Sequence, residues 1–392
     1  MTLTRRQFIE SMAVLGITGL AGCAGRDLLA FPELEASGPP GDLGLAHGRA
    51  FAEQIRFNLE FYQRWLSRSG AVPVPRLLEL ARAFAPVIEA SFPELMEELD
   101  GIAIGAGMSG EEILLINART DIAAIVDAEI ARAEVPGCTA MALFGEPEGR
   151  RVVALGQNWD WDPVMADAPV VLRLRPDGAP PLVTLAEAGM LAKIGYNGSR
   201  LGVCLNFLSH TSDGQPGRLG VPIHCLLRAV LTCQSLDEAA STVEASPRCA
   251  SANFLLAQAG PDGPRARDLE ITPDAVATLS RTGDRLIHTN HFLAPTVAEG
   301  CTSGRGPSTM NRYRRAETIA EALEASEPDP VRRMEQVLVC REDLPYPISR
   351  DRNPDPSSST LAGIIMDLTR DRLLLTAGPP HKSPWIERPG VG

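Results

Sequence analysis

The stretch from Ala131 to Phe144, "ARAEVPGCTAMALF", places Cys138 directly after Pro136 and Gly137 and directly before a short apolar run. It divides the chain into two textures. Upstream, "GRAFAEQIRFNLEFYQRWLSRSG" carries Phe51, Ile55, Leu59, Tyr62 and Trp65 at helical spacing, and "PRLLELARAFAPVIEASFPELMEELDGIAIGAG" continues the habit with prolines as punctuation. The glycine-rich "GIAIGAGMSGEE" ends one helix, and Ser109 caps the next. Downstream, "CTAMALFG", "RVVALGQNW", "PVVLRLRP", "PLVTLAEAG", "LAKIGYNG" and "LGVCLNFLS" are apolar runs separated by Gly, Pro and Asp, which predicts consecutive antiparallel strands. Helical segments are expected over 221–233, 236–245, 310–325 and 330–340, with strands between them and two more at the end. This order predicts a layered α/β arrangement of two sheets covered by helices on both outer sides.

Composition sets limits. The chain has 392 residues, 44% of them hydrophobic, enough for a sizeable core. The formal charge is −12, and lysine occurs only at Lys193 and Lys382. With no clustered basic stripe, no nucleic-acid partner is expected.

Residues 1–23, "MTLTRRQFIESMAVLGITGLAGC", read as an address. Paired Arg5 and Arg6 before an apolar run resemble a twin-arginine export signal, and "LAGC" resembles a lipoprotein box that would lipidate Cys23. The expected location is therefore a bacterial envelope, periplasmic or membrane-anchored, with the membrane reached only through a lipid on Cys23. The predicted organisation is this leader, a loose tether over 24–43, a helical segment over 44–137 and a strand-rich segment over 138–392, the last two forming one integrated domain. No C-x-x-C pair occurs, so a structural zinc site is not expected, and disulfides are permitted by the destination without being demanded by spacing.

The hinge at Cys138, expected to be exposed, asks what would activate a thiol there. A thiol is a weak nucleophile until a base or a positive neighbour ionises it. No histidine lies near it in sequence. Were the Gly137–Cys138 bond broken, the freed α-amino group, with a reference pKa of roughly 8, would serve as the base. Gly137 suits such a cut, since it lets the thiol approach the preceding carbonyl. "GQNWDWDP" puts Asp160 between Trp159 and Trp161, where a carboxylate would hold the new ammonium; a turn-forming Asp is the plainer reading. Asn206 and Asn253 each offer an amide for an oxyanion, although each taken singly also reads as a satisfied structural amide.

Taken in order, "HGRAFAEQI", "PELMEELDGIAIGAG", "LINARTD", "GCTAMAL", "GQNWDW", "GYNGSRLGVCLNF", "SANFLLA", "HTNHF", "STMNRYRRA" and "IIMDLTRDRLLLTAGPP" resemble the acyl-coenzyme A:6-aminopenicillanic acid acyltransferase family, the C45 cysteine peptidases, within the N-terminal-nucleophile hydrolases. The resemblance implies a four-layer αββα sandwich with a helical N-terminal segment, made as a precursor that cleaves itself between Gly137 and Cys138. It implies Cys138 as nucleophile, Asp160 as the carboxylate orienting its amine, Asn253 as oxyanion donor, Asn206 as a further polar group and Arg312 as a support of the cleft. Arg119 and Asp121 would brace the cleavage loop. Gln157 stands where choloylglycine hydrolases carry an arginine, which puts bile-acid substrates in doubt. The expected activity is hydrolysis or acyl transfer of an N-acyl amide in a small molecule or short peptide, with water or an amine as acceptor, no cofactor and no metal, the two fragments staying associated. The alternatives are a metal site at His288 and His291, whose spacing on a strand sets the rings on opposite faces, a serine hydrolase, for which no G-x-S-x-G occurs, and a lipid-anchored binding protein that has no use for the site.

Overall fold

The computed structural model describes residues 31–67, 72–126, 137–302, 307–352 and 357–392. Six helices come first: α1 (Pro40–Ser67), α2 (Val74–Ala83), α3 (Ala85–Ser91), α4 (Pro93–Ala106), α5 (Gly110–Asn117) and α6 (Arg119–Val126). They are preceded by one strand, β1 (Glu33–Gly38). The leader with Cys23, and the segment 127–136 before the hinge, lie outside the described residues.

After the hinge come β2 (Thr139–Gly145), β3 (Val152–Trp161), β4 (Pro169–Pro176), β5 (Leu182–Glu187), β6 (Ile194–Asn197) and β7 (Leu201–Phe207). Helices α7 (Ile223–Val230) and α8 (Leu236–Ala245) follow, then β8 (Ala252–Gly260), β9 (Gly263–Ile271), β10 (Val276–Leu279) and β11 (Arg285–His288). Helices α9 (Pro295–Ala298), α10 (Pro307–Glu324) and α11 (Pro330–Leu338) lead to β12 (Ser359–Asp367), β13 (Arg372–Ala377) and β14 (Ile386–Pro389).

Two sheets result, ordered β1-β4-β5-β6-β7-β8-β9-β10 and β11-β2-β3-β12-β13-β14. All pairs are antiparallel except β1 with β4. Strands β2 and β3 of the smaller sheet pack on β7 and β8 of the larger, while α11 covers the outer face of the smaller sheet and α8 packs against β8 and β9. This is the four-layer αββα sandwich. Central strands covered on both faces read as unbroken apolar runs, and β2 and β3 are buried along almost their whole length. The period of two survives in what each side chain meets: Ala140, Ala142 and Phe144 join the core between the sheets, Met141 and Leu143 the core under α10 and α11.

The segment read as a tether is part of the fold from Glu33 onward. Residues 33–38 pair in parallel with β4, Glu33 opposite Val171, and α1 begins at Pro40. The Gly and Pro residues that suggest looseness have another cause here. Pro40 opens a helix, where its missing N–H costs nothing, and the glycines of α1 admit close contact with α4: a Cβ on Gly48 would overlap the Ile102 carbonyl, and one on Gly101 the Gly41 carbonyl.

Candidate functional site

The candidate residues gather at the end of the sandwich where β2 begins and β3 ends. Thr139 pairs with Asn158, so continuing the antiparallel register sets Cys138 opposite Trp159 and Gly137 opposite Asp160. Cys138 is buried, at 8% exposure. Its carbonyl accepts from Arg312 Nη1 at 2.6 Å and from Asn206 Nδ2 at 3.2 Å. Arg312 reaches it from α10, and the same guanidinium donates to Thr139 Oγ1 at 3.1 Å and Asn290 Oδ1 at 3.1 Å. Gly137 has no room for a side chain, because a Cβ there would overlap Asn290 Oδ1 and Arg312 Nη2. Burial pushes the Cys138 thiol pKa up and the Asp160 charge adds to this; Lys193, a backbone hydrogen bond at Asp160 and Arg312 oppose it.

Asp160 is fully buried. Its Oδ1 accepts from Thr360 Oγ1 at 2.6 Å, while Oδ2 has no hydrogen-bond partner and lies 3.7 Å from Arg350 Nε. Burial raises its pKa to about 6 against the pull of Arg350, Arg312 and Thr360. A buried carboxylate oxygen without a hydrogen-bond donor is costly, and Asp160 lines the same cleft as Cys138 and acts on its thiol.

Asn206 and Asn253 are partners in the β7–β8 register. Asn253 Nδ2 donates to Asn206 Oδ1 at 3.3 Å, and its own Oδ1 is unpartnered. Asn206 therefore touches Cys138 and Asn253 stands one bond behind it. Gln157, expected where relatives have arginine, ties the two sheets together: its Oε1 accepts from the Leu205 N–H at 2.9 Å.

Arg119 and Asp121 part company. Asp121 accepts from the Ile223 N–H at 3.1 Å and from the Cys249 thiol, so it holds the start of α7. Arg119 lines the cleft, with its guanidinium carbon 4.6 Å from the Tyr62 ring centroid and 5.3 Å from that of Trp161. It bonds Glu187, as does Lys193, whose Nζ also sits 3.6 Å from the Trp159 ring centroid. Burial would raise the Glu187 pKa, but Arg119 and Lys193 outweigh it and hold the carboxyl well below the ordinary range. Burial lowers the Lys193 pKa to about 8, against the pull of Glu187.

Sequence reading missed Lys193, Glu187, His224 and Asn290. The segment joining β5 to β6 carries Glu187 and Lys193 to the cleft, and it is gripped from the helical segment: Asn58 Nδ2 donates to the Ala188 carbonyl, His47 Nε2 accepts from the Gly189 N–H, and Asn117 bonds Gly189 and Leu191. Lys193, His224 and Asn290, together with Trp65, Trp159, Trp161 and Phe207, line a cleft that includes Cys138, and Glu187 stands behind Lys193. His288 and His291 lie elsewhere. His288 bonds Glu270 and His291 bonds Thr289 and Thr309, and among the described residues no three metal-binding side chains converge.

The family described as acyl-coenzyme A:6-aminopenicillanic acid acyl-transferase matches residues 146–382, more than half the chain. The chain belongs to this family. Over 347 residues it is 26% identical to the acyl-coenzyme A:6-aminopenicillanic-acid-acyltransferase 40 kDa form of Emericella nidulans, across 88% of this chain and 92% of that protein. Among solved structures it is similar to an N-acylethanolamine-hydrolyzing acid amidase ortholog of Caenorhabditis elegans (14% identity, TM-score 0.41, 59% of this chain and 93% of that one). It is also similar to penicillin V acylase from Agrobacterium tumefaciens (18%, 0.37, 61% and 83%). In this member of the family the two-sheet sandwich brings Cys138, Asp160, Asn206, Asn253 and Arg312 together at one end.

Proposed function

We propose that this acyltransferase-family chain is an exported, self-processed cysteine amidohydrolase that hydrolyses an N-acyl amide or passes its acyl group to an amine. In maturation the Cys138 thiol attacks the Gly137 carbonyl carbon, the C–N bond breaks as the amine takes the proton, and water hydrolyses the resulting thioester. Arg312 and Asn206 fix the Cys138 carbonyl and so aim the thiol backwards. The observation that carries this reading is the buried Asp160 Oδ2, which has the Arg350 guanidinium 3.7 Å away but no hydrogen-bond donor, in the register position opposite Gly137. The new α-ammonium supplies the missing donor.

In turnover the α-amine takes the thiol proton, the thiolate attacks the substrate acyl carbon, and the ammonium returns the proton to the leaving amine. Water then attacks the thioester, its proton passing to the α-amine, and releases the acid. Asn253 is the proposed oxyanion donor. Its amide stands one bond behind Cys138, donating to Asn206 Oδ1 at 3.3 Å beside Asp268. Relatives named for acyl transfer and amide hydrolysis support the reaction class. The cut pieces stay together through β1 in the β4 ladder and through the buried Arg119–Glu187 and Glu98–Arg228 pairs. Residues 1–23 are the proposed export signal, with Cys23 as the lipid attachment point.

The test is the intact mass of the chain lacking residues 1–23, beside its Cys138→Ala variant. Two fragments meeting at Gly137 and Cys138 in the wild type alone support the reading. One uncut mass in both overturns it.

A further inference from the structure

Behind the Cys138 carbonyl lies a buried polar row that joins the two sheets. His288 on β11 pairs with Ala140 on β2, and its ring crosses to the larger sheet, where Nε2 meets Glu270 Oε1 at 2.9 Å. On that sheet Asn206, Asn253 and Glu270 are direct partners across β7, β8 and β9, and Asp268 stands two residues before Glu270 on the same face. The row therefore runs from the Cys138 carbonyl through Asn206 and Asn253 to Asp268, Glu270 and His288. All of these side chains are fully buried.

The bonds assign the charges. His288 Nδ1 meets the Thr289 carbonyl at 2.7 Å, so it carries a proton. Glu270 accepts the Leu293 N–H at 2.5 Å and the Ala294 N–H at 2.9 Å, which favours its ionised form and makes Nε2 the donor between them. His288 is thus an imidazolium. Burial would lower its pKa, but Asp268, Glu270 and the Thr289 carbonyl outweigh it and push it up. Asp268 closes no hydrogen bond with either oxygen. Burial raises its pKa to about 6, with the His288 charge and the adjacent Asn253 amide pulling the other way and Glu270 adding to the rise.

From this row we infer that Asp268 is a positioning residue for the Asn253 amide, kept in its charged form by the His288 imidazolium. The inference rests on the amide-bond reading above, in which Asn253 is the oxyanion donor. A carboxylate only accepts, so it draws the Asn253 NH2 group and turns Oδ1 away, and that Oδ1 is without a partner. The second hydrogen of Nδ2 is directed at Asn206 Oδ1, toward Cys138. A neutral Asp268 would instead donate and attract Oδ1, and the amide would turn its own oxygen toward a developing oxyanion, which repels it.

The test follows Asp268→Asn, His288→Gln and Asn253→Ala through three readouts: maturation by intact mass, kcat and KM on p-nitrophenyl esters from acetyl to decanoyl, and alkylation of Cys138 by iodoacetamide. Alkylation passes through no oxyanion, so it reports the thiol alone. Asn253→Ala should lose about 100- to 1000-fold in kcat, the usual cost of one oxyanion donor. Asp268→Asn should lose about ten- to hundredfold in maturation and in kcat through a misplaced amide. Its KM and its alkylation rate should stay within about twofold of wild type, and His288→Gln, which keeps a donor to Glu270, should show the same pattern. Combined with Asn253→Ala, the Asp268→Asn loss should not add. Unchanged kcat in both Asp268→Asn and His288→Gln overturns the inference and leaves the amidase reading standing. So do additive losses, or alkylation slowed as much as acyl transfer, which would make the row a support of the fold around the thiol. A wild type that neither matures nor turns over any ester overturns the amidase reading and the inference with it.

Discussion

Replacing Gly137 by alanine adds one methyl group where the structure has no space for it. The new carbon would overlap Asn290 Oδ1 and Arg312 Nη2. Neither yields cheaply. Arg312 is held by the Cys138 carbonyl at 2.6 Å and Thr139 Oγ1 at 3.1 Å, and Asn290 donates to the Phe207 carbonyl at 3.0 Å. Moving Arg312 releases the Cys138 carbonyl; leaving it forces the peptide of the proposed cut away by about 1 Å, an error that costs on the order of 100-fold in rate. Overpacking of a buried site costs about 1–3 kcal/mol by itself. Gly137→Ala should therefore fold and mature about 100 times more slowly, measured by following precursor and fragments by gel and intact mass after synthesis is stopped. Asn290→Ala in the same chain should recover part of the rate, since it removes the first of the two clashes. Maturation of Gly137→Ala at the wild-type rate would refute the steric reasoning, and a slowing that the second substitution leaves untouched would assign the defect elsewhere.

Three further outcomes follow from other parts of the structure. Activity of the mature protein should fall about tenfold per pH unit on an acid limb where Asp160 becomes protonated and stops holding the ammonium, and that limb should lie below the value of about 6 in the uncut chain, because the ammonium adds to the pull of Arg350 and Arg312; Thr360→Val, which deletes the donor to Oδ1, should move that limb upward by about one unit, and an unmoved limb would mean another group sets it. Gly48→Ala should lower the urea midpoint by the equivalent of about 1–3 kcal/mol through its clash with the Ile102 carbonyl, and wild-type stability would show that α1 and α4 can part. Asp121, raised by burial from 3.8 to about 7, binds its proton more tightly when folded, so its contribution is full below its unfolded value and is lost as pH rises through about 7. Asp121→Asn should accordingly flatten the decline of the thermal midpoint between pH 4 and 7, and an unchanged slope would place the titration at Asp213, whose pKa is also raised to about 7.

Much of this was legible in the sequence because local signals agree. The runs around Met141 and Val153 are strand-like in composition, and the Ser109 cap closes with Glu112 as a capping box. Cys138, Asp160, Asn206 and Arg312 could be singled out because each sits in a motif that resembles a family pattern, and the fold sets them side by side. Their supports were not. Arg350 and Thr360 meet Asp160 about two hundred residues downstream, and nothing in "SSSTLAG" marks a hydroxyl meant for a buried acid. Glu187 and Lys193 flank a glycine in what reads as an ordinary turn, and only the grip of α1 and α5 on that turn makes them part of the cleft. The reading of 24–43 as a tether failed from Glu33 onward because a short edge strand and a glycine-rich helix contact look alike, in composition, to a loop.

The parallel pairing of β1 with β4 carries a consequence for reversibility. Those two strands lie on opposite sides of the proposed cut, so in the cut protein one sheet is assembled from two separate chains. The uncut form would refold as a single molecule at a rate independent of how dilute it is. The cut form, once melted, must find its other half again, and its thermal midpoint should climb with protein concentration while that of Cys138→Ala stays fixed. Durability in the mature form is then governed by how slowly the halves come apart.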